Sequence, residues 1–391
     1  MANVRRETAR REYTIEPSRK KENTYDYTLL FLTLVLICFG FVMIYSSSSY
    51  VAQIKEGDAA YYVKRQMIAA ALGLFVMIFV SVVCDYQVLL VKRRVIRNLC
   101  VLSFLIAIFL QIIVLIPGIG MELNGARRWL KLPVLGTFQP SDFAKLALII
   151  FLAYLIQYNP KDMNKGYGFL RVYIFVAPLL ALIAKENMST AIILGIITVG
   201  ITFITCEKKW YFLILGIIAG AAIAAFLIFG DGFRMERIEI WRDLENHEKG
   251  YQILQGLYAI ASGGLWGSGL GESMQKLGFI PEAQNDMIFS IICEELGLVG
   301  AIAVLLLFTI LLWRIFVIGM QSADLFGGLI CMGVFIHIAA QVILNIAVVT
   351  NTIPSTGVAL PFISYGGTSV LLLMVEIGLV LNVSRQAKRV Y

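Results

Sequence analysis

Two carboxylates stand where a polar stretch meets a strongly apolar run, in Ile280-Pro281-Glu282-Ala283-Gln284-Asn285-Asp286-Met287-Ile288-Phe289. An acid at such a border is costly unless it is used, which makes Asp286 the first candidate for chemistry. A carboxylate can act as general base and take a proton from a hydroxyl. If Asp286 opens a helix, the helix dipole favours its charged form, whereas partial burial raises its pKa. Either balance is compatible with a base that is ionised near neutral pH. Glu282 is the better second acid by proximity, although a solvated loop carboxylate reads equally well there. Ser290, Cys293 and Glu294 share a helical face with Asp286. Glu294 would lie about 12 Å away along the axis, too far for a direct carboxylate pair, and reads as a structural acid.

Other candidates surround this border in sequence. Asp142 and Lys145 are three apart in Gln139-Pro140-Ser141-Asp142-Phe143-Ala144-Lys145, so they share a helical face and can pair, as a structural ion pair or as substrate contacts. Pro361-Phe362-Ile363-Ser364-Tyr365-Gly366-Gly367-Thr368-Ser369 is a polar, glycine-broken stretch of a kind tolerated at membrane depth where it lines a cavity, which adds Ser364 and Tyr365. Gly263, Gly264, Gly267, Gly269 and Gly271 surround Trp266 and permit tight turns or close approach to a ligand. No Lys-Ser/Thr follows them, so they do not form a P-loop. His247 and His337 do not read as a catalytic pair; His337 is expected to hydrogen-bond a neighbouring helix near Gln341 or Asn345. The six cysteines lie mostly in apolar runs without CxxC pairs, which points to neither a disulfide framework nor a zinc site.

The elements that must position these residues are membrane helices. With 59% hydrophobic residues, 15% charged residues and a mean hydropathy of +0.80, the chain is no ordinary soluble domain. Runs of spanning length, roughly 17 to 25 residues, centre near residues 37, 75, 108, 149, 177, 198, 220, 304, 338 and 373. The residues before Tyr25 lack a cleavable signal pattern. Basic residues collect before the first run, after the second, between the fourth and fifth, between the sixth and seventh, after the eighth and at the end. The positive-inside rule then makes both termini cytoplasmic and the long loop over 230–286 extracytoplasmic. The expected class is an all-α polytopic membrane protein with ten transmembrane helices and a large extracytoplasmic loop between helices seven and eight. Residues 1–24 form a cytoplasmic tail and 25–391 the membrane domain.

The net charge of +7 is explained by these topogenic clusters, and no nucleic-acid motif or partner is indicated. Arg127, Arg128, Lys131, Lys185, Arg234 and Arg237 nevertheless fall on the side where the rule disfavours cations. They suggest an anionic ligand there, against the plainer reading of pairing with local acids or lipid headgroups.

Asn124 to Lys145, Gly250 to Gly300 and Pro354 to Ser369 resemble the three signature regions of the SEDS family (shape, elongation, division and sporulation), the FtsW/RodA/SpoVE proteins of bacteria. The likeness runs from Tyr25 onward, and Gly250-Tyr251-Gln252, Gly267 to Lys276 and Pro281 to Asp286 look closer to the division-type FtsW branch. The resemblance implies a peptidoglycan glycosyltransferase that polymerises lipid II at the outer face of the cytoplasmic membrane, in the division septum. It also implies a class B penicillin-binding protein as partner, with other divisome proteins and membrane lipid. The family's essential acid falls on Asp286. The attacking group would be a GlcNAc 4-hydroxyl and the leaving group undecaprenyl pyrophosphate, whose charge would be met by Arg127, Arg128, Lys131, Arg234, Arg237 or a divalent cation, Mg2+ or Mn2+. No organic cofactor is expected. Two departures matter: the family commonly has Glu where Asp142 stands, and Lys185-Glu186-Asn187-Met188-Ser189-Thr190 lacks an acid at Asn187. A lipid II flippase, or a scaffold that only activates the penicillin-binding protein, would need much of the same surface.

Overall fold

The computed structural model describes residues 25–84, 86, 94–123, 126–132, 136–229, 239–247 and 250–386. Asp26 starts the first apolar helix, α1 (Tyr27–Glu56), by accepting the Leu29 N–H at 2.9 Å, and Gly57 ends it with a left-handed φ of 72°. There follow α2 (Tyr61–Val82), α3 (Arg94–Leu115), α4 (Pro140–Tyr158), α5 (Gly166–Glu186), α6 (Met188–Thr205) and α7 (Trp210–Phe229). Then come α8 (Tyr251–Gly263), α9 (Ile288–Met320), α10 (Leu325–Val349) and α11 (Gly367–Gln386). Among the described residues eight helices are long and apolar enough to cross a membrane: α1, α2, α4, α5, α6, α9, α10 and α11. The runs expected near residues 108 and 220 coincide with α3 and α7.

The chain is mostly helical but not all-α. Strands β1 (Gly120–Leu123), β2 (Ala126–Leu132) and β3 (Gly136–Phe138) form an antiparallel sheet in the order β1-β2-β3, with Leu123 opposite Ala126 and Leu130 opposite Phe138. The stretch is too short and too polar to span, and Asn124-Gly125 is a strong hairpin signal. The sheet therefore forms between α3 and α4 at the Asp286 end of the bundle.

A second departure lies in the expected polar loop. Its described part carries α8, which buries Ile253, Gly256, Ala259 and Gly263 on one face against α9. The turns that follow interlock with α9. Gly297 breaks that helix with φ 66°, and four backbone groups freed by the break are answered by the 264–269 turn. Leu298 and Val299 N–H, which a regular helix would give to Glu294 and Glu295, donate to Gly264 O at 3.0 Å and Leu265 O at 3.2 Å. The freed carbonyls of Glu294 and Glu295 accept from Ser268 N at 2.9 Å and Gly269 N at 3.0 Å. A Cβ on Gly267 would sit 2.1 Å from Glu295 O, so that position admits only glycine.

The opposite end is closed by polar pairs. Arg314 pairs with Asp26, whose N–H donates to Ser384 Oγ at 3.3 Å, and Tyr86 Oη donates to Asp324 at 2.9 Å. Asn382 Nδ2 donates to the carbonyls of Val80 at 2.9 Å, Ser81 at 3.1 Å and also Cys84. Between the two ends α2 and α11 approach closely enough that a Cβ on Gly378 would lie 2.9 Å from Met77 O. All six cysteines are free thiols.

Candidate active site

Four segments converge on Asp286: its own turn, the start of α8, the end of α10 and the 354–366 stretch before α11. The helix begins only at Ile288, so Asp286 precedes it and is not in its first turn as expected. Asn345 of α10 fixes the turn, donating Nδ2 to Asp286 O at 2.8 Å and to Val358 O at 2.8 Å. The Tyr365 N–H donates to Gln284 O at 2.9 Å, which ties the same turn to the end of the 354–366 stretch. Gly357, at φ 64°, neighbours the carboxylate, and a Cβ there would lie in ordinary contact with Asp286 Oδ2, 3.7 Å away. The carboxylate's side-chain partner is Gln252 of α8, whose Nε2 also donates to Pro281 O at 3.1 Å and reaches Asp286 Oδ1 at a long 3.4 Å.

Burial decides the state that sequence left open. The half-buried Asp286 carboxyl is raised from its ordinary 3.8 to about 6, chiefly by loss of water and further by the nearby Glu282 charge. Its own backbone N–H and Gln252 pull the other way without prevailing. Such a group is ionised at neutral pH yet basic enough to accept a proton. Backbone strain lies close to it: among the described residues the non-glycine residues with positive φ are Glu282 in its own turn, Phe362 in the 354–366 stretch and Asn351 just past α10. Glu282 is exposed and accepts from Asn285 Nδ2 at 2.8 Å.

The other expected residues fall into three groups. Tyr365 is half-buried, packs edge-on against Tyr62 with centroids 5.0 Å apart, and hydrogen-bonds Arg65; burial raises its phenol pKa. Ser364 uses its hydroxyl to accept the Leu360 N–H at 2.8 Å and so holds the turn. On the sheet side Arg127 Nε pairs with Glu122 at 3.1 Å and its N–H donates to Glu186 at 3.0 Å. Arg127 and Arg128 line a small cleft with Gln111, Ser141, Glu186 and Asn187, while Lys131 is exposed. Asp142 and Lys145 form the pair their spacing allowed, at 2.9 Å and buried. Asn187 caps α6 by accepting the Thr190 N–H at 3.1 Å. Arg234 and Arg237 lie outside the described residues.

Sequence reasoning named Gln252 and Asn345 without placing them at this site, and it missed Arg65. Arg65 sits one turn into α2, with its guanidinium 4.6 Å from the Tyr61 ring centroid. The signal for it was a cation at the start of an apolar run beside two tyrosines. As for metal, among the described residues no three His, Cys, Asp or Glu side chains group as a ligand set. A Mg2+ or Mn2+ ion here would take Asp286 or Glu282 together with substrate phosphate oxygens, which is how Mg2+ is commonly held.

The fold and site define a polytopic membrane protein with a half-buried carboxylate set among irregular segments at one end of its bundle. The chain matches the family described as cell cycle protein, FtsW/RodA/SpoVE, over residues 27–389, and it belongs to that family. It is 37% identical over 374 residues to "Stage V sporulation protein E" of Bacillus subtilis (strain 168), covering 94% of this chain and 99% of that protein. It is also 37% identical over 368 residues to "Probable peptidoglycan glycosyltransferase FtsW" of Trichlorobacter lovleyi, covering 93% and 94%. Among solved structures, a chain from "Structural coordination of polymerization and crosslinking by a peptidoglycan synthase complex" superposes with a TM-score of 0.76 at 26% identity, covering 93% and 98%. The Rod shape determining protein RodA of Thermus thermophilus shares the fold with a TM-score of 0.64 at 24% identity, covering 94% and 98%.

Proposed function

We propose that this protein is a peptidoglycan glycosyltransferase that polymerises lipid II into glycan strands at the outer face of the bacterial cytoplasmic membrane, in septal synthesis during division. The observation that carries the reading is Asp286 itself, a half-buried carboxylate raised to about 6 with one long side-chain contact. Asp286 takes the proton of the acceptor's GlcNAc 4-hydroxyl as that oxygen attacks C1 of the donor's MurNAc. The C1–oxygen bond to undecaprenyl pyrophosphate breaks on the opposite side, so the configuration inverts. The bonding pair leaves with the pyrophosphate. Arg127, Arg128 and Lys131, with Arg234 and Arg237, supply positive charge for it, and Arg65 adds a cation beside Tyr365. Glu282 and Tyr365 complete the substrate-facing wall, and the buried Asp142–Lys145 pair and Ser364 support it from behind. A bound divalent cation would supply further charge for the leaving phosphates.

In this reading α3 and α7 join the eight apolar helices to give ten spans, both termini are cytoplasmic, and 230–286 forms the large extracytoplasmic loop. A class B penicillin-binding protein crosslinks the new strands, which the subject of the peptidoglycan synthase complex supports. The test is lipid II polymerisation by the purified chain with and without such a partner, with strands separated on a gel. Strands that require this chain support the enzyme; a working partner with no strands would favour a flippase or an activating scaffold.

A further inference from the structure

A buried polar seam leads away from Asn345 into the bundle. His337, Gln341 and Asn345 are spaced i, i+4, i+8 on α10 and so share one face. They are 1%, 5% and 0% exposed, and Gln341 Oε1, Asn345 Oδ1 and His337 Nε2 have no hydrogen-bond partner among the described residues. The amide orientation of Asn345 follows from its surroundings: Nδ2 faces two carbonyls, and the reverse setting would press Oδ1 against both. Its Oδ1 therefore points away from them.

Neighbouring helices keep the seam polar. His337 Nδ1 bonds Glu376 of α11 at 2.8 Å, with both side chains buried. On α4, Ile149 packs where Gly333 of α10 lacks a side chain, since a Cβ there would lie 2.6 Å from it. One turn toward the Asp286 end on those same faces stand Lys145 and His337, and one turn further Ser141 and Gln341. The buried Asp142–Lys145 pair is thus level with the unpartnered atoms of α10.

Buried polar atoms without a partner cost about 1–3 kcal/mol each, and of these three, on successive turns of one helix, the two amide oxygens need donors while His337 Nε2 needs a donor or an acceptor according to its proton. Water supplies both, and it settles where several such groups converge. We propose that the α10 face of His337, Gln341 and Asn345 encloses a file of ordered water molecules between α4, α10 and α11, running from behind Asp286 to the Glu376–His337 pair. The file completes the hydrogen bonding of Asn345, which clasps the Asp286 turn. It stands independently of the role assigned to the Asp286 carboxylate.

X-ray hydroxyl-radical footprinting of the full chain in lipid nanodiscs, run in 18O-labelled water, tests this. Bound water makes radicals in place, so His337 should take up label several-fold faster than Phe308 and Phe326, which are equally buried. Labelling of His337 no faster than those two rings overturns the proposal. The near-isosteric Gln341→Met should keep the melting temperature and bring His337 down to the rate of the phenylalanines. Undiminished labelling in that folded variant would overturn a continuous file, and if the variant does not fold, the wild-type comparison decides alone.

Discussion

Around Glu294 and Glu295 the chain leaves almost no polar capacity unused. Glu294 accepts from the Met274 N–H at 2.9 Å, the Gln275 N–H at 3.4 Å and the Ser273 hydroxyl. Glu295 accepts from Lys276 Nζ at 2.8 Å and from Ser46 Oγ at 2.6 Å, and the lysine is completed by Gly271 O at 2.6 Å. Around Asp286, on the same stretch of chain, a carboxylate meets one side-chain donor among the described residues, at 3.4 Å, beside a left-handed Glu282 and a bare Gly357. The first region uses acids to lock a turn into a broken helix. The second holds its acid by the backbone and, in the function proposed above, leaves the oxygens for the acceptor hydroxyl. Burial alone does not separate the two roles, whereas the count of committed lone pairs does.

Several substitutions can break or sharpen that contrast. The largest stability effect should come from Glu295→Ala, which strands the buried Lys276 ammonium; about 3–5 kcal/mol is expected, read as a lowered melting temperature in detergent, and a neutral result would mean the pair is not structural. Gly267→Ala puts a Cβ against Glu295 O at φ 79° and should cost about 1–3 kcal/mol, with added protease sensitivity in the 264–269 turn. Asn345→Leu removes the donor shared by Asp286 O and Val358 O, at about 1–3 kcal/mol. If Asp286 is the base, the change should lower kcat more than it raises KM, because the carboxylate is displaced while the substrate's binding surface remains.

A pH-dependent effect on stability concerns Asp286. Its folded pKa of about 6 lies above the ordinary 3.8, so between those values the folded protein holds a proton that the unfolded chain has lost. Stability should therefore be fullest below about pH 4 and decline as pH rises toward about 6. In Asp286→Asn that decline disappears, which equal pH-dependent melting curves for variant and wild type would contradict.

Much of this was legible in the sequence, for physical reasons that differ by element. Apolar runs of spanning length announced the helices, since lipid demands internally satisfied backbone. Asp142 and Lys145 announced their pair through helical spacing, and Asp286 stood out by its position at a polar border. The sheet was missed because overall hydropathy outweighed the local Asn124-Gly125 hairpin signal. The 13-residue α8 fell below spanning length, and its polar flanks made it look like loop. The break at Gly297 was invisible because glycine is common in membrane helices and only the distant 264–269 turn makes the break satisfiable. The clasp of Asp286 by Gln252 and Asn345 joins residues 34 and 59 positions away, which only the fold brings together.

The most direct test is the polymerisation rate of Asp286→Asn against wild type, with protein of equal melting behaviour and saturating lipid II, across pH 5 to 8. Wild-type activity should rise with pH through about 6 and level off, as Asp286 loses its proton and becomes the base. The variant should fall by roughly 10²- to 10⁴-fold and lose that pH step. A variant that polymerises at close to the wild-type rate, with the same rise through pH 6, would contradict Asp286 as the base and move the chemistry to another group.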